Sequence, residues 1–378
     1  MSCEGCYREN DPRGDRPLED VIKELEQVKK LRKTGGISIA GGEPLIYPHI
    51  VDLVRYVAGQ GWKPIIISNG MCLTPELVGE LRKAGLVAFT VHVDSHQQRP
   101  DWIGKTEAQL NALRLHLAEI IRDAGHGRIS CGFNATIYPD TLKDIPMLTR
   151  WGQAHMDVVH TMVYILFRQA RVAPQFDYFV EGRQIDPAKA GHLRYLAEEG
   201  TNHRDIMSQE VVDLIREVAP EYEPCAFLNS NQDPNAVKWL LGVRAGGPDR
   251  ILGYMNGRFI EMIQVLHHLV FGTYTAYSRP GLTKVSQALF PLALINRGMF
   301  NVFWNWLKDP SQWLKRVHLQ SILIIQPPDV LADGRQAMCD GCPDGMYYEG
   351  RMIWKCRLDE IQKFGDFIQC VPKGQISD

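Results

Sequence analysis

Neither sign of charge dominates this chain. Its 378 residues carry 42 Lys and Arg against 44 Asp and Glu, a formal net charge of −2, so there is no polybasic footprint of the kind a nucleic-acid backbone demands and no nucleic-acid partner is expected. No run of 18 apolar residues occurs, so no transmembrane helix is expected. No signal peptide is expected either, because Asp11, Arg13, Asp15 and Arg16 interrupt the apolar stretch one would need. There is no internal repeat beyond a βα unit and no low-complexity tract. What is plentiful is apolar residues, at 45%, enough for one large domain or two smaller ones.

The nine cysteines are Cys3, Cys6, Cys72, Cys131, Cys225, Cys339, Cys342, Cys356 and Cys370. An odd number without a secretion signal argues against a disulfide framework and for metal ligation in the cytoplasm. Cys72 and Cys131 sit in apolar, strand-like contexts and are expected in the core. Cys225 reads equally as a further ligand, a buried thiol or a substrate-facing one. His203 and the pair His267 and His268 have no metal-ligand spacing.

Along the chain the apolar period switches regularly between helix and strand. Leu18, Val21, Ile22, Leu25, Val28 and Leu31 recur at three and four, predicting a helix over 17–32 with Asp15 as its cap. Strands are expected at 37–40, 64–68, 86–93, 129–137 and 158–167. Helices are expected between them at 48–58, 74–84 (Thr74 as cap, Pro75 at its first position), 106–124 and 142–151. Strands alternating with helices at this spacing build a parallel α/β sheet, whose ligands belong at the C-terminal ends of the strands. The unusual residues cluster there: Cys3 and Cys6, Gly41-Gly42-Glu43, Ser68-Asn69-Gly70, Asp94-Ser95 and Asn134. Past about residue 175 the pattern changes. Residues 184–222 read as polar helix and 225–258 as irregular. Residues 259–325 are rich in aromatic and aliphatic side chains, and Pro327-Pro328 marks a boundary. This divides the chain into a core at 1–175, a helical or irregular substrate-covering region at 176–325, and a Cys-rich domain at 326–378.

Cys3 and Cys6 form a C-x2-C pair, which zinc knuckles and redox pairs share. Gly41-Gly42-Glu43-Pro44 follows at the end of the next strand, where two glycines allow close backbone approach to a small ligand. Together with the βα order, the two motifs resemble the radical S-adenosylmethionine (radical SAM) superfamily, whose cluster loop reads C-x3-C-x2-C and whose second strand ends in GGEP. On that resemblance the fold is α/β, a partial (β/α)6 TIM-like barrel with its first strand missing, a helical middle and a small Cys-rich C-terminal domain. The loop's first cysteine would lie two residues upstream of Met1, so the sequence is expected to begin inside the loop and, as it stands, to hold its cluster poorly and show little activity.

The resemblance implies a [4Fe–4S] cluster held by Cys3, Cys6 and the upstream cysteine, thiolates being the soft ligands such clusters need. The open iron would chelate S-adenosylmethionine. A low-potential donor such as flavodoxin or ferredoxin would supply the electron that splits the sulfonium to a 5′-deoxyadenosyl radical, which abstracts a substrate hydrogen. Gly41, Gly42, Glu43 and Pro44 would meet the SAM amino group. Ser68 and Asn69, then Asp94 and Ser95, then Asn134 occupy strand ends where the family places polar groups on the ribose or carboxylate, and Tyr164 lies in the zone that cradles adenine. Arg168 and Arg171 follow as carboxylate or phosphate partners, or as ordinary surface arginines. The family often has an aromatic just before the last cluster cysteine; here that position is Gly5, and Tyr7, directly after Cys6, is the candidate substitute.

Cys339, Cys342, Cys356 and Cys370 form C-x2-C-x13-C-x13-C. The readings are an auxiliary [4Fe–4S] cluster, favoured by the first cluster site, or a closed four-thiolate zinc or mononuclear iron site. The chain is therefore expected to be a radical SAM enzyme, its catalytic residues unread, acting on a small-molecule, lipid or peptide substrate. The aromatic middle leans toward an apolar or lipid-like substrate; residues 259–313 read first as helices covering the barrel, and second as a hydrophobic substrate groove or a peripheral membrane contact. The alternatives are a peptide-modifying maturase and a non-catalytic iron–sulfur or zinc-binding protein on a degenerate barrel.

Overall fold

In the computed structural model, residues 14–167, 175–186, 206–233, 236–275, 286–331 and 333–374 are described. Cys3, Cys6, Tyr7, Arg168, Arg171 and His203 lie outside them.

All five expected strands form: β1 (Gly36–Ile39), β2 (Lys63–Ser68), β3 (Ala88–His92), β4 (Ser130–Ile137) and β5 (Thr161–Leu166). They pair in parallel in chain order. Between them run α1 (Leu18–Leu31, before β1), α2 (Ile50–Gly59), α3 (Pro75–Ala84), α4 (Glu107–Ala124) and α5 (Ile145–Ala154). Local sequence sets the ends. Thr74 caps α3 by accepting from Leu77 N, and Thr106 with Gln109 forms a capping box on α4. α1 differs from expectation: Pro17, not Asp15, is its N-cap residue, with no side-chain cap.

The core lies between the sheet and these helices. Phe89, Val91, Phe133, Met162 and Tyr164 face Leu117, Ile121, Ile145 and Leu148. Because side chains alternate along a strand, Thr90 and His92 on β3 and Asn134 and Thr136 on β4 face the opposite way, into the concave side of the sheet.

The middle of the chain is where the fold departs from the sequence reading. After β6 (Phe176–Val180), β7 (Arg183–Ile185) and α6 (Ser208–Arg216), the stretch expected to be irregular forms β8 (Cys225–Asn229), β9 (Val237–Gly247) and β10 (Arg250–Met255). After α7 (Gly257–Phe271) and α8 (Arg297–Leu307) comes β11 (His318–Ile325). β11 pairs parallel with β5 and antiparallel with β9, so the order is β1-β2-β3-β4-β5-β11-β9-β10. The sheet is thus not confined to residues 1–175. Its sixth parallel strand comes from 318–325, inside the region expected to be helical.

β9 escaped detection for a physical reason. One edge pairs with β11, while the other is shared by β8 and β10. Its buried residues include Lys238 and Arg244, which break the apolar alternation. Gly242 is required there, since a Cβ would stand 2.3 Å from the Tyr222 ring.

Among the described residues the sheet is open, with β1 at one edge and β8 and β10 at the other. α7 bridges them: it leaves β10, runs 15 residues, about 22 Å, and its end meets the start of β1. There a Cβ on Gly35 would lie 3.2 Å from Thr273 Oγ1. The C-terminal part adds β12 (Asp329–Val330), β13 (Gln336–Ala337), the hairpin β14 (Gly345–Tyr348) and β15 (Arg351–Trp354), α9 (Leu358–Phe364), and β16 (Gln369–Pro372), which pairs with β6. No helix among the described residues is long and apolar enough to cross a membrane.

Candidate cofactor site at the mouth of the parallel sheet

The GGEP turn closes on the end of β2. Glu43 Oε1 accepts from Leu45 N (3.0 Å) and Ser68 Oγ (2.7 Å), and Oε2 accepts from Asn69 N (2.7 Å). Ser68 Oγ in turn accepts from Gly70 N at 2.8 Å. Gly70 has φ +74° and stands where a Cβ would meet Val91 at 2.9 Å, so only glycine serves. Pro44 is buried and opens a single 3₁₀ turn. Glu43 and Ser68 therefore brace two strand ends against each other. The backbone of Gly41 remains open, with nothing within 4 Å of its would-be Cβ.

The end of β3 is braced in the same manner. Asp94 accepts from His92 Nε2 (2.6 Å), His96 N (3.0 Å) and Thr136 N (3.2 Å). Burial pushes this carboxyl up, but the His92 imidazole and the two backbone donors outweigh it and hold it below the ordinary carboxylate range. A carboxylate only accepts, so the His92 proton sits on Nε2. Ser95 N donates to Glu107 Oε1 at 2.7 Å, and Glu107 forms a fully buried ion pair with Arg114. Arg114 also donates to Val93 O at 2.8 Å. Arg99 Nη2 reaches Asn69 O (2.5 Å) and His92 O (3.1 Å), joining the loops after β2 and β3.

Asn134 lies opposite His92 in the β3–β4 register. It is 8% exposed, and its Oδ1 is buried without a hydrogen-bond partner. Gly41, Gly42, Glu43, Pro44, Ser68, Asn69, Asp94, Ser95 and Asn134 thus share one end of the sheet. Tyr164 does not join them. It alternates to the helix side of β5, is fully buried, and shares a 3.3 Å hydrogen bond with Thr149 of α5. The sequence reading missed His92, Thr136, Arg99, Glu107 and Arg114. His92 was legible as the inward partner of the outward Val91 and Val93. Glu107 and Arg114 were legible as charges on the apolar face of α4 carrying Leu110 and Leu117.

The C-terminal cysteines are divided. Cys339 and Cys342 share a hydrogen bond between their sulfurs. This bond lowers Cys339, with Lys238 and Trp239 assisting against burial, and raises Cys342. Burial pushes Cys356 up to about 12, and the nearby Cys339 adds to it. Cys370 stands on β16 opposite Tyr178; burial raises its thiol, against a hydrogen bond with Gln336. The buried Arg357–Glu360 pair acts on both Cys356 and Cys370. Among the described residues no three His, Cys, Asp or Glu side chains form a group that could hold a metal ion, so this set as arranged does not fit a four-thiolate centre. Cys131 is buried as expected, whereas Cys72 is exposed in the loop after β2 rather than in the core. Cys225 is half-buried and donates to Leu241 O at 3.4 Å, and burial pushes it up to about 11.

A parallel sheet with buried polar braces and one unpartnered amide oxygen toward the C-terminal ends of its strands defines an α/β protein of the kind whose ligands bind at the sheet mouth. Residues 1–152 match the Radical SAM superfamily, so that region is similar to its members. The chain is 29% identical over 157 residues to the tungsten-containing aldehyde ferredoxin oxidoreductase cofactor-modifying protein of Pyrococcus furiosus, covering 40% of this chain and 44% of that one. It is 32% identical over 94 residues to the AdoMet-dependent heme synthase of Methanosarcina barkeri, covering 25% and 27%. The chain thus spans less than half the length of either relative. Among solved structures, Streptococcus suis SuiB bound to S-adenosylmethionine is similar over 59% of this chain and 50% of that one, at 17% identity and a TM-score of 0.35.

Proposed function

We propose that this chain is a radical SAM enzyme whose S-adenosylmethionine lies across the C-terminal ends of β1 to β4. The observation that carries the reading is Asn134. A buried amide oxygen without a partner costs about 1–3 kcal/mol, and this one faces the concave side beside the braced loops. A ligand bearing ammonium and hydroxyl donors relieves that cost. Gly41 and Gly42 offer backbone to it. Glu43, Pro44, Ser68, Asn69 and Asp94 hold the loops in place, with Ser95 and Asn134 as polar partners, and Tyr164 is left out. Cys3 and Cys6 are the proposed cluster ligands. A [4Fe–4S] cluster with S-adenosylmethionine supplies, when bound, a radical that abstracts a substrate hydrogen.

The reading extends to a low-potential electron donor such as flavodoxin or ferredoxin, a cytoplasmic location, and a small-molecule, lipid or peptide substrate, the apolar class favoured by the exposed aromatic surface described below. Cys339, Cys342, Cys356 and Cys370 are the proposed seat of an auxiliary [4Fe–4S] cluster, which they would form only after rearrangement. Zinc or mononuclear iron is the alternative there. No step is assigned to that site.

The test is anaerobic reconstitution of the chain together with any residues encoded upstream of Met1, with iron and sulfide counted and 5′-deoxyadenosine measured after reduction with S-adenosylmethionine. Bound iron and sulfide with 5′-deoxyadenosine release support the enzyme. Bound metal without S-adenosylmethionine cleavage would leave a non-catalytic iron–sulfur or zinc protein as the better account.

A further inference from the structure

The surface around α8 combines exposed aromatic rings with an uneven charge. Phe300, Trp304 and Leu307 recur at four and three along the helix, and all three are exposed. Phe300 stacks on Trp304 with ring centroids 6.2 Å apart. Trp313 Nε1 donates to Leu307 O at 3.2 Å, so its half-exposed ring lies next to that stripe. Leu314 follows and is fully exposed. The opposite side of α8 explains why these groups do not turn inward. There Trp306 packs on Phe290 and Phe303, and Met299 and Val302 are buried beside Leu252 and Phe259.

The charges around the stripe are mostly basic. Arg297, Lys308, Lys315 and Arg316 are exposed, and Lys308 Nζ lies 4.9 Å over the Trp304 ring. The one acid among residues 286–316, Asp309, is already bonded to Arg250 and Ser311. Lys315 also pairs with Asp249 at 2.5 Å. A basic rim around apolar rings repels a second copy meeting it face to face. It suits an anionic surface into which rings and Leu can dip while long cationic side chains reach back to charged headgroups.

We propose that this face docks the protein on an anionic lipid bilayer, with Phe300, Trp304, Trp313 and Leu314 entering the interface and Arg297, Lys308 and Arg316 contacting headgroups. The proposal does not depend on the chemistry assigned to the sheet mouth, so either can fail without the other.

The full chain is sedimented with vesicles of phosphatidylcholine alone and of phosphatidylcholine with phosphatidylglycerol. Binding to the anionic vesicles is expected to be tighter by on the order of tenfold or more and to weaken with salt, since each basic residue near such a surface strengthens binding about fivefold. Leu314→Asp with Trp304→Gln should abolish sedimentation, and Arg297→Glu with Arg316→Glu should abolish the preference for anionic vesicles. Unchanged circular dichroism would show that the variants fold. Absent binding, equal binding to both vesicle types, or variants that bind as the parent does would overturn the proposal. So would a doubled mass in solution that Leu314→Asp returns to the monomer value, since the occupant would then be a second copy.

Discussion

Two fully buried arginines sit on opposite sides of the same problem. Arg114, under the mouth of the parallel sheet, pairs with the equally buried Glu107 and through it holds the loop after β3. Arg244, under the antiparallel wing, meets neutral groups: its Nε bonds Gln320 Oε1 at 2.8 Å, its Nη2 bonds Thr149 O at 3.0 Å, and its Nη1 has no partner. Burial lowers the Arg244 guanidinium, with Tyr254 and Tyr164 opposing. The mouth therefore balances charge against charge around loops that must keep their shape. The wing uses one cation as a neutral-partnered clamp between β9, β11 and α5.

The difference is tested most severely by making the same substitution twice. Arg114→Met strands the Glu107 carboxylate and should cost about 3–5 kcal/mol in chemical denaturation. Arg244→Met strands no charge and should cost about 1 kcal/mol or less, the lost hydrogen bonds being offset by removal of a desolvated cation. Equal losses would erase the distinction. Ser68→Ala removes one donor from the Glu43 carboxylate and should cost about 1.5–3 kcal/mol, the range for hydrogen bonds to charged groups. A loss below a few tenths would mean that the brace is ornamental.

The smallest expected effect is in the acid limb. The Asp94 carboxyl is held below its ordinary value. Its contribution is therefore fully present above the unfolded value, about 3.9, and is lost as pH falls through the lower folded value. Asp94→Asn should flatten the fall in stability below about pH 4, read from denaturation midpoints across pH. An unchanged slope would contradict the assigned balance.

The parallel half was legible because each strand and helix announces its period locally. The spacing of Leu18 to Leu31, the Thr74-Pro75 start and the GGEP turn need no knowledge of distant residues. β9 and β11 were hidden because their partners are remote. Arg244 and Lys238 look like surface residues until Gln320 and Asp329 come from about 80 and 90 residues away to meet them. The same alternation that placed Asn134 on the concave face of the sheet turned Tyr164 away from it. Position along the chain had located both near strand ends, but only the pleat decides which way a side chain points. The cysteine spacing at the C-terminus was plain to read. That Cys370 would be drawn onto β6 by β16, away from the Cys339–Cys342 pair, was not.

The central claim is that Asn134 belongs to an S-adenosylmethionine site. Equilibrium binding of S-adenosylmethionine to the anaerobically reconstituted protein, parent against Asn134→Ala, measures it directly. Weaker binding on the order of tenfold, matching the loss of one well-placed hydrogen bond to a charged group, with unchanged iron content and thermal stability no lower than the parent's, is the predicted result. Identical affinity in the two proteins would contradict it.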